Sequence, residues 1–327
     1  MGIKIGRTQL KHGLFLAPMA GFTDRAMRCI SSELGAEWCV TEMVSAKAVT
    51  FGDKKTFSLA RIQGDEGNVS LQIFGNEPSV MAKAAEILAR GYGDGAYIPP
   101  LAIDINMGCP VNKVFGNGEG SALMRDPELI YTIVREVSSA IDIPTTVKIR
   151  SGIDRDHINA VECALAAEAA GAALVTVHGR TRAQLYGGTA DREIIRNVKS
   201  TLHIPVIANG DITDSESAVA MLRETGADGI MIGRGAIGNP FIFSEITAHL
   251  DKKEYTAPSL NKRIETALRQ LCIAIDDKGE LYAVHEARKQ IALYFKGFRG
   301  CAALRAKINT ASTLAEVEAA LSILEED

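Results

Sequence analysis

The chain has 327 residues, 46% of them hydrophobic, and a formal net charge of −4. That length suits one large barrel with an appendage, and the acidic balance does not mark a general nucleic-acid binder. No window approaches the roughly 18 uninterrupted apolar residues of a membrane span. The opening Met1-Gly2-Ile3-Lys4-Ile5-Gly6-Arg7 has no apolar core of a signal peptide. Cys29, Cys39, Cys109, Cys163, Cys272 and Cys301 are scattered without a C-x-x-C pair, which argues against a disulfide framework and against a zinc site. A reduced, cytoplasmic, monomeric protein without a metal is expected.

Short apolar runs begin, in chain order, at Leu14, Trp38, Val69, Ala102, Thr145, Leu174, Val206 and Gly229. Amphipathic stretches separate them, among them 78–90, 126–140, 158–170 and 215–225. Strand alternating with helix implies parallel pairing through right-handed crossovers. Eight such units predict an α/β fold, a (β/α)8 TIM barrel over residues 1–250. A doubly wound sheet is the alternative, but it rarely needs eight units. The polar stretch 251–259, with Pro258, reads as a linker. Beyond it the pattern turns to helices without strands, at 260–277, 281–296, 302–309 and 314–325, so residues 259–327 are expected to form a small helical domain.

In such a barrel the chemistry sits at the carboxyl ends of the strands. Those ends carry Pro18-Met19-Ala20, Gln72, Asn106 with Cys109, Lys148 with Arg150, His178, Asn209-Gly210-Asp211, and Gly233-Arg234. Pro110 cannot extend a sheet ladder, so Cys109 stands at the lip of its strand. Lys148 alternates with Val147 and Ile149 and should point inward, where it needs an anion, either a structural partner or a ligand. Gly233-Arg234-Gly235-Ala236-Ile237-Gly238 fits the dinucleotide fingerprint but follows the last strand instead of the first. The loops after strands seven and eight are a barrel's recurrent phosphate site, with Arg234 adding a charge-assisted bond. Such a phosphate site suits FMN. Gln72 and Lys148 have the chemistry to hydrogen-bond its ring, Pro18-Met19-Ala20 lies beneath, and Cys109 faces it as a proton donor. The segment 116–120 reads equally as a lid or as a surface loop.

Nine motifs in order carry a family resemblance. They are LAPMAGFTD (16–24), TEMVSAK (41–47), LQIFG (71–75), DINMGCP (104–110), GSALMRDP (120–127), VKIRSG (147–152), VHGRTRAQLYGG (177–188), NGDI (209–212) and GRGAIGNP (233–240). The chain resembles the FMN-dependent tRNA-dihydrouridine synthases along nearly its whole length, and TEMVSAK resembles the bacterial B-type subgroup. The resemblance implies a flavin barrel followed by a helical tRNA-binding domain. It implies reduction of the uracil C5–C6 double bond: NADPH reduces FMN, hydride passes from flavin N5 to C6, and Cys109 protonates C5. It assigns Gln72, Lys148, His178, Asn209-Gly210-Asp211 and Gly233-Arg234 to FMN, and Asn106 and Arg150 to the neighbourhood of the substrate base. The chain departs from the family pattern at 112–117, at Ala190-Asp191-Arg192 and at Lys289-Gln290, all of which bear on RNA grip.

Residues 259–311 hold ten Lys/Arg against five acids, and the last sixteen residues carry five acids. Arg288, Lys289, Lys296 and Arg299 have spacings that share one side of a helix and its end, and with Arg305 they are candidates for a phosphate-tracking face. A mixed-charge solvated bundle is the plainer reading. Two other functions fit less of the sequence. A flavin barrel reducing a small molecule leaves the helical domain unexplained, and a flavin-stabilised RNA-binding protein leaves Cys109 unexplained.

Overall fold

The apolar runs form eight strands in the computed structural model, which describes residues 2–91 and 97–324. They are β1 (Leu14–Leu16), β2 (Trp38–Val40), β3 (Val69–Phe74), β4 (Ala102–Met107), β5 (Thr145–Arg150), β6 (Leu174–His178), β7 (Val206–Asn209) and β8 (Gly229–Ile232). Each pairs in parallel with the next. β8 returns to β1, with Ile230 opposite Leu14 and Ile232 opposite Leu16, so the sheet closes on itself. Strands covered on both faces are continuous apolar runs because neither face meets water. Phe15, Trp38, Val40, Ala102, Leu174, Ile207 and Met231 fill the barrel. The larger core lies between the strands and the surrounding helices.

One end of the barrel is plugged by a hairpin that the sequence reading did not anticipate. Ile3–Ile5 pairs with Thr8–Leu10, and Ile3, Ile5 and Leu10 join the interior cluster. Asp214 and Ser217 close a capping box on the helix Ser215–Thr225, and Gly226 ends that helix in the left-handed region. Asp126 caps Pro127–Ala140 in the same spirit.

The polar stretch after Leu250 leads to Ser259, whose side chain caps the next helix. From there the chain is helical, with a second core of its own that also takes in Ala26 and Phe241 from the barrel. With Arg25–Glu33 as α1, Leu260–Lys278 as α2 and Glu280–Ile291 as α3, the docking is concrete. Lys278 of α2 reaches Asp24, the cap of α1, at 2.6 Å and Glu286 of α3 at 2.6 Å. Arg25 bridges Asp65 at 2.6 Å and Asp276 at 3.2 Å. Gly238, at φ +68°, sits where any Cβ would lie 2.4 Å from the Cβ of Leu293, so the turn after β8 needs glycine to meet the helical unit.

Several cations counted toward an RNA face have local partners. Arg288 is half-buried and donates to the Ala311 carbonyl at 2.9 and 2.6 Å. Arg269 pairs with Glu33, and Lys262 with Glu265 at 2.9 Å. Arg263 faces the rings of Phe241 and Phe298. The helix expected over 281–296 ends at Ile291 and passes into a 3-10 turn, Ala292–Phe295. Lys296 and Arg299 therefore stand beyond it, exposed, as are Arg305 and Lys307. Glu325, Glu326 and Asp327 of the acidic tail lie outside the described residues.

Candidate active site

The strand ends converge on a cavity of about 790 Å³, within the range of small-molecule and cofactor sites. Pro18, Met19, Ala20, Gln72, Asn106, Cys109, Lys148, Arg150, His178, Asn209, Gly210, Asp211, Gly233 and Arg234 all line it. Phe22, Met43 and Tyr186 line it too, and the sequence reading had not singled them out. Arg288, Lys296 and Arg299 do not; they belong to the helical unit. Lys289 lies at the rim, its ammonium 4.8 Å from the centre of the Phe22 ring.

Register assembles the floor. Gln72 stands opposite Asp104, and Asp104 opposite Thr146. Asp104 accepts from Gln72 Nε2 at 2.7 Å and from Thr146 Oγ1 at 2.5 Å. Asn106 Nδ2 donates to Gln72 Oε1 at 2.8 Å. Asn106 Oδ1 accepts from the backbone N–H groups of Cys109 at 2.9 Å and Gly108 at 3.2 Å. One amide thus fixes both the glutamine's orientation and the turn that carries the thiol. The Ser121 hydroxyl holds the Cys109 carbonyl at 2.8 Å from the other side. Asp104 was legible only as one polar residue in an apolar run.

Lys148 faces the cavity and, among the described residues, has one hydrogen-bond partner, Asn209 Oδ1, at 3.0 Å. Asn209 is itself pinned by its Nδ2 donating to the Met231 carbonyl at 2.7 Å. Burial, then the neighbouring Arg150 charge, lowers the Lys148 ammonium to about 8. Arg150 donates Nε to the Gly108 carbonyl at 2.8 Å and Nη1 to the carbonyls of Thr181 and Leu185 at 2.8 and 3.0 Å. It therefore ties the loops after β4 and β6 together as well as bordering the cavity. His178 is driven down to about 2 by burial and by Lys148, Arg150, Arg180 and Arg234, so its imidazole is neutral. Burial raises the Cys109 thiol, against the Val111 N–H, Arg150 and Lys148, and it stays protonated at neutral pH.

The far wall carries the glycines. Gly210 has φ +129°, and a Cβ there would lie 2.5 Å from Ala190 Cβ and 3.2 Å from the His178 ring. Asp211 pairs with Arg180 at 2.8 Å and lies 3.8 Å from Arg234. It also accepts the Ala190 N–H at 2.7 Å. The Arg234 side chain is 55% exposed and stacks 4.8 Å from the centre of the Tyr186 ring. The strand β8 ends in a 3-10 turn, Arg234–Ala236, and not in the long helix of a dinucleotide fold. The segment 112–120 is seated, not free: Asn112–Gly116 is a helical turn, and Asn76 holds the Asn117 carbonyl at 2.9 Å.

Lys148, Arg150 and Arg234 line the cavity, Arg180 stands behind Asp211, and Asp104 and Asp211 are the carboxylates held against them. The partly buried Lys148 ammonium has Asp104 nearby, but that carboxylate is already taken up by Gln72 and Thr146, so a ligand anion or an electron-rich ring edge is what completes its shell. The donor set therefore fits an elongated anion, with a polar ring over Lys148 and Gln72 and a phosphate toward Gly210, Gly233 and Arg234. Among the described residues no cluster of His, Cys, Asp and Glu could hold a metal ion, and no helix is long and apolar enough to cross a membrane.

Known proteins resemble the chain over nearly its whole length. The family model described as dihydrouridine synthase matches residues 15–326. The tRNA-dihydrouridine synthase B of Pseudomonas putida is 43% identical over 309 residues, covering 94% of this chain and 89% of that protein. A probable tRNA-dihydrouridine synthase of Rickettsia conorii is 40% identical over 309 residues, 94% of this chain and 91% of its own. The structure of histamine dehydrogenase from Rhizobium sp. 4-9 superposes with a TM-score of 0.56 at 12% identity, over 88% of this chain and 50% of that longer one, a likeness of fold alone. The chain belongs to the dihydrouridine synthase family.

Proposed function

We propose that this protein reduces the C5–C6 double bond of uridines in tRNA to dihydrouridine, with FMN held in the barrel cavity and NADPH as reductant. The observation that carries the proposal is the meeting in one cavity of a protonated thiol, Cys109, with the ammonium of Lys148. Gln72 and Lys148 are suited to the polar edge of the flavin ring, Pro18-Met19-Ala20 and His178 to its body, and Asn209-Gly210-Asp211 with Gly233-Arg234 to its phosphate. A flavin held by these residues would supply hydride chemistry toward C6 of a uracil ring, with NADPH as the source of the electrons. Cys109 gives its proton to C5, and the thiolate is reprotonated from solvent. Asn106 holds the Cys109 turn in place, and with Arg150 it borders the space left for the base. The neutral imidazole of His178 adds a hydrogen-bonding group without adding charge. The helical unit beside Phe22 is suited to hold the rest of the RNA.

The test begins with colour. Purified protein should be yellow and release FMN on denaturation, and it should form dihydrouridine in tRNA from cells lacking the enzyme. Cys109→Ala should keep the flavin and its reduction by NADPH, yet lose about 10²–10⁴ in transfer to uridine, the usual worth of a positioned acid. A colourless protein that takes up no FMN refutes the cofactor, and full uridine reduction by Cys109→Ala refutes the acid.

A further inference from the structure

Three cations, Lys113, Arg125 and Arg182, belong to the loop beyond Cys109 and to its surroundings, and none is in an ion pair among the described residues. The turn Asn112–Gly116 carries Phe115, and the guanidinium carbons of Arg125 and Arg182 lie 4.4 and 4.1 Å from the centre of its ring. Arg182 Nη2 donates to Asn112 Oδ1 at 2.6 Å, while its Nε is buried and has no acceptor. Arg125 and Lys113 are exposed. Asp126, beside Arg125, is committed to the Leu129 N–H at 3.0 Å, and Glu119 of the same loop is hydrogen-bonded with Asn117. Two guanidiniums on one ring repel each other, and the ring's quadrupole offsets only part of that repulsion. Such an arrangement is completed by a shared anion.

The patch also sits where a substrate backbone would pass. Val111, the residue before the Phe115 turn, lines the cavity, as does Phe22. Lys289 covers Phe22 from the helical unit. Cations therefore stand near both Val111 and Phe22. We propose that Lys113, Arg125 and Arg182 form a phosphodiester-binding site for the RNA strand at the Cys109 side of the mouth, with Phe115 as the platform that gathers the two guanidiniums. A strand held there and at Lys289 would present one base to the cavity between them. The proposal rests on the reading of tRNA as substrate.

The experiment measures binding of an unmodified tRNA transcript to flavin-loaded protein across a range of salt concentrations. Lys113→Gln/Arg125→Gln changes two exposed side chains, and flavin content per chain reports its folding. Each lost phosphate contact lowers the log–log salt slope by about 0.7–0.9, so the double variant should bind more weakly with a slope shallower by about 1.4–1.8. Phe115→Leu keeps every charge but removes the platform, and should also weaken binding. Should that variant lose its flavin, Lys113→Gln alone decides, with an expected slope loss of about 0.7–0.9. A wild-type protein that reduces no uridine overturns the function proposed above. A wild type that reduces uridine, beside a double variant of unchanged affinity and slope, overturns this site alone.

Discussion

Replacing Lys148 by Met should make the flavin-free protein more stable at neutral pH and much poorer at binding FMN. The fall of the ammonium from 10.5 to about 8 is worth about 3 kcal/mol at 1.36 kcal/mol per pH unit. The side chain opens onto a solvent-filled cavity, which reduces the figure to about 2 kcal/mol. The sign follows from linkage. Between pH 8 and 10.5 the unfolded chain binds the proton that the folded chain has released, so wild-type stability gains in that window as pH rises. Urea unfolding of the two flavin-free proteins should show Lys148→Met ahead by about 2 kcal/mol at pH 7, with the gap closing toward pH 10. An anionic ligand raises the Lys148 pKa again, so FMN affinity of the wild type should fall above pH 8, by up to about tenfold per pH unit, and that of the variant should not. A stability gap that stays constant with pH, or identical pH dependence of FMN binding in both proteins, would refute the assignment of a destabilised ammonium to the cavity floor.

Arg234→Ala removes one half-exposed charge-assisted contact, worth about 1.5–3 kcal/mol; equilibrium dialysis should show weaker FMN retention with the urea midpoint unchanged. The thiol of Cys109 is raised by burial, so uridine reduction should persist through neutral pH and decline only on the alkaline side, which a pH–rate profile checks. Lys289→Ala/Lys296→Ala should weaken tRNA binding and flatten its salt slope by up to about 2, while FMN reduction by NADPH, followed by flavin absorbance, continues.

The barrel was legible because parallel strands covered on both faces leave an unbroken apolar run, and each strand start from Leu14 to Gly229 is marked that way. The strand-end residues followed, since a run that stops at Cys109-Pro110 or at Asn209-Gly210 says which side chains reach the lip. The N-terminal hairpin was not legible: Ile3–Ile5 and Thr8–Leu10 are broken by Lys4, Thr8 and Gln9, so neither shows the unbroken apolar run that marks β1 and β2. Partnerships across the fold were invisible too. Arg288 and Lys278 count as free charge in a sequence, and only folding shows the first giving its donors to the Ala311 carbonyl and the second lying between Asp24 and Glu286. Phe115 reads as an ordinary apolar residue until Arg125 and Arg182, from two other segments, arrive on its ring.

The shared core of barrel and helical unit has a consequence for how the chain is made. Lys278 meets Asp24 across 254 residues of sequence, and Ala26 and Phe241 are buried by helices that are made after the barrel. A barrel that closes as soon as Ile232 emerges therefore carries an uncovered apolar face. At roughly 5–20 residues per second, the helices from Leu260 on take on the order of 3–15 s to appear. During that interval the nascent barrel offers a hydrophobic patch to any chaperone, or to the exposed barrel of a neighbouring nascent chain.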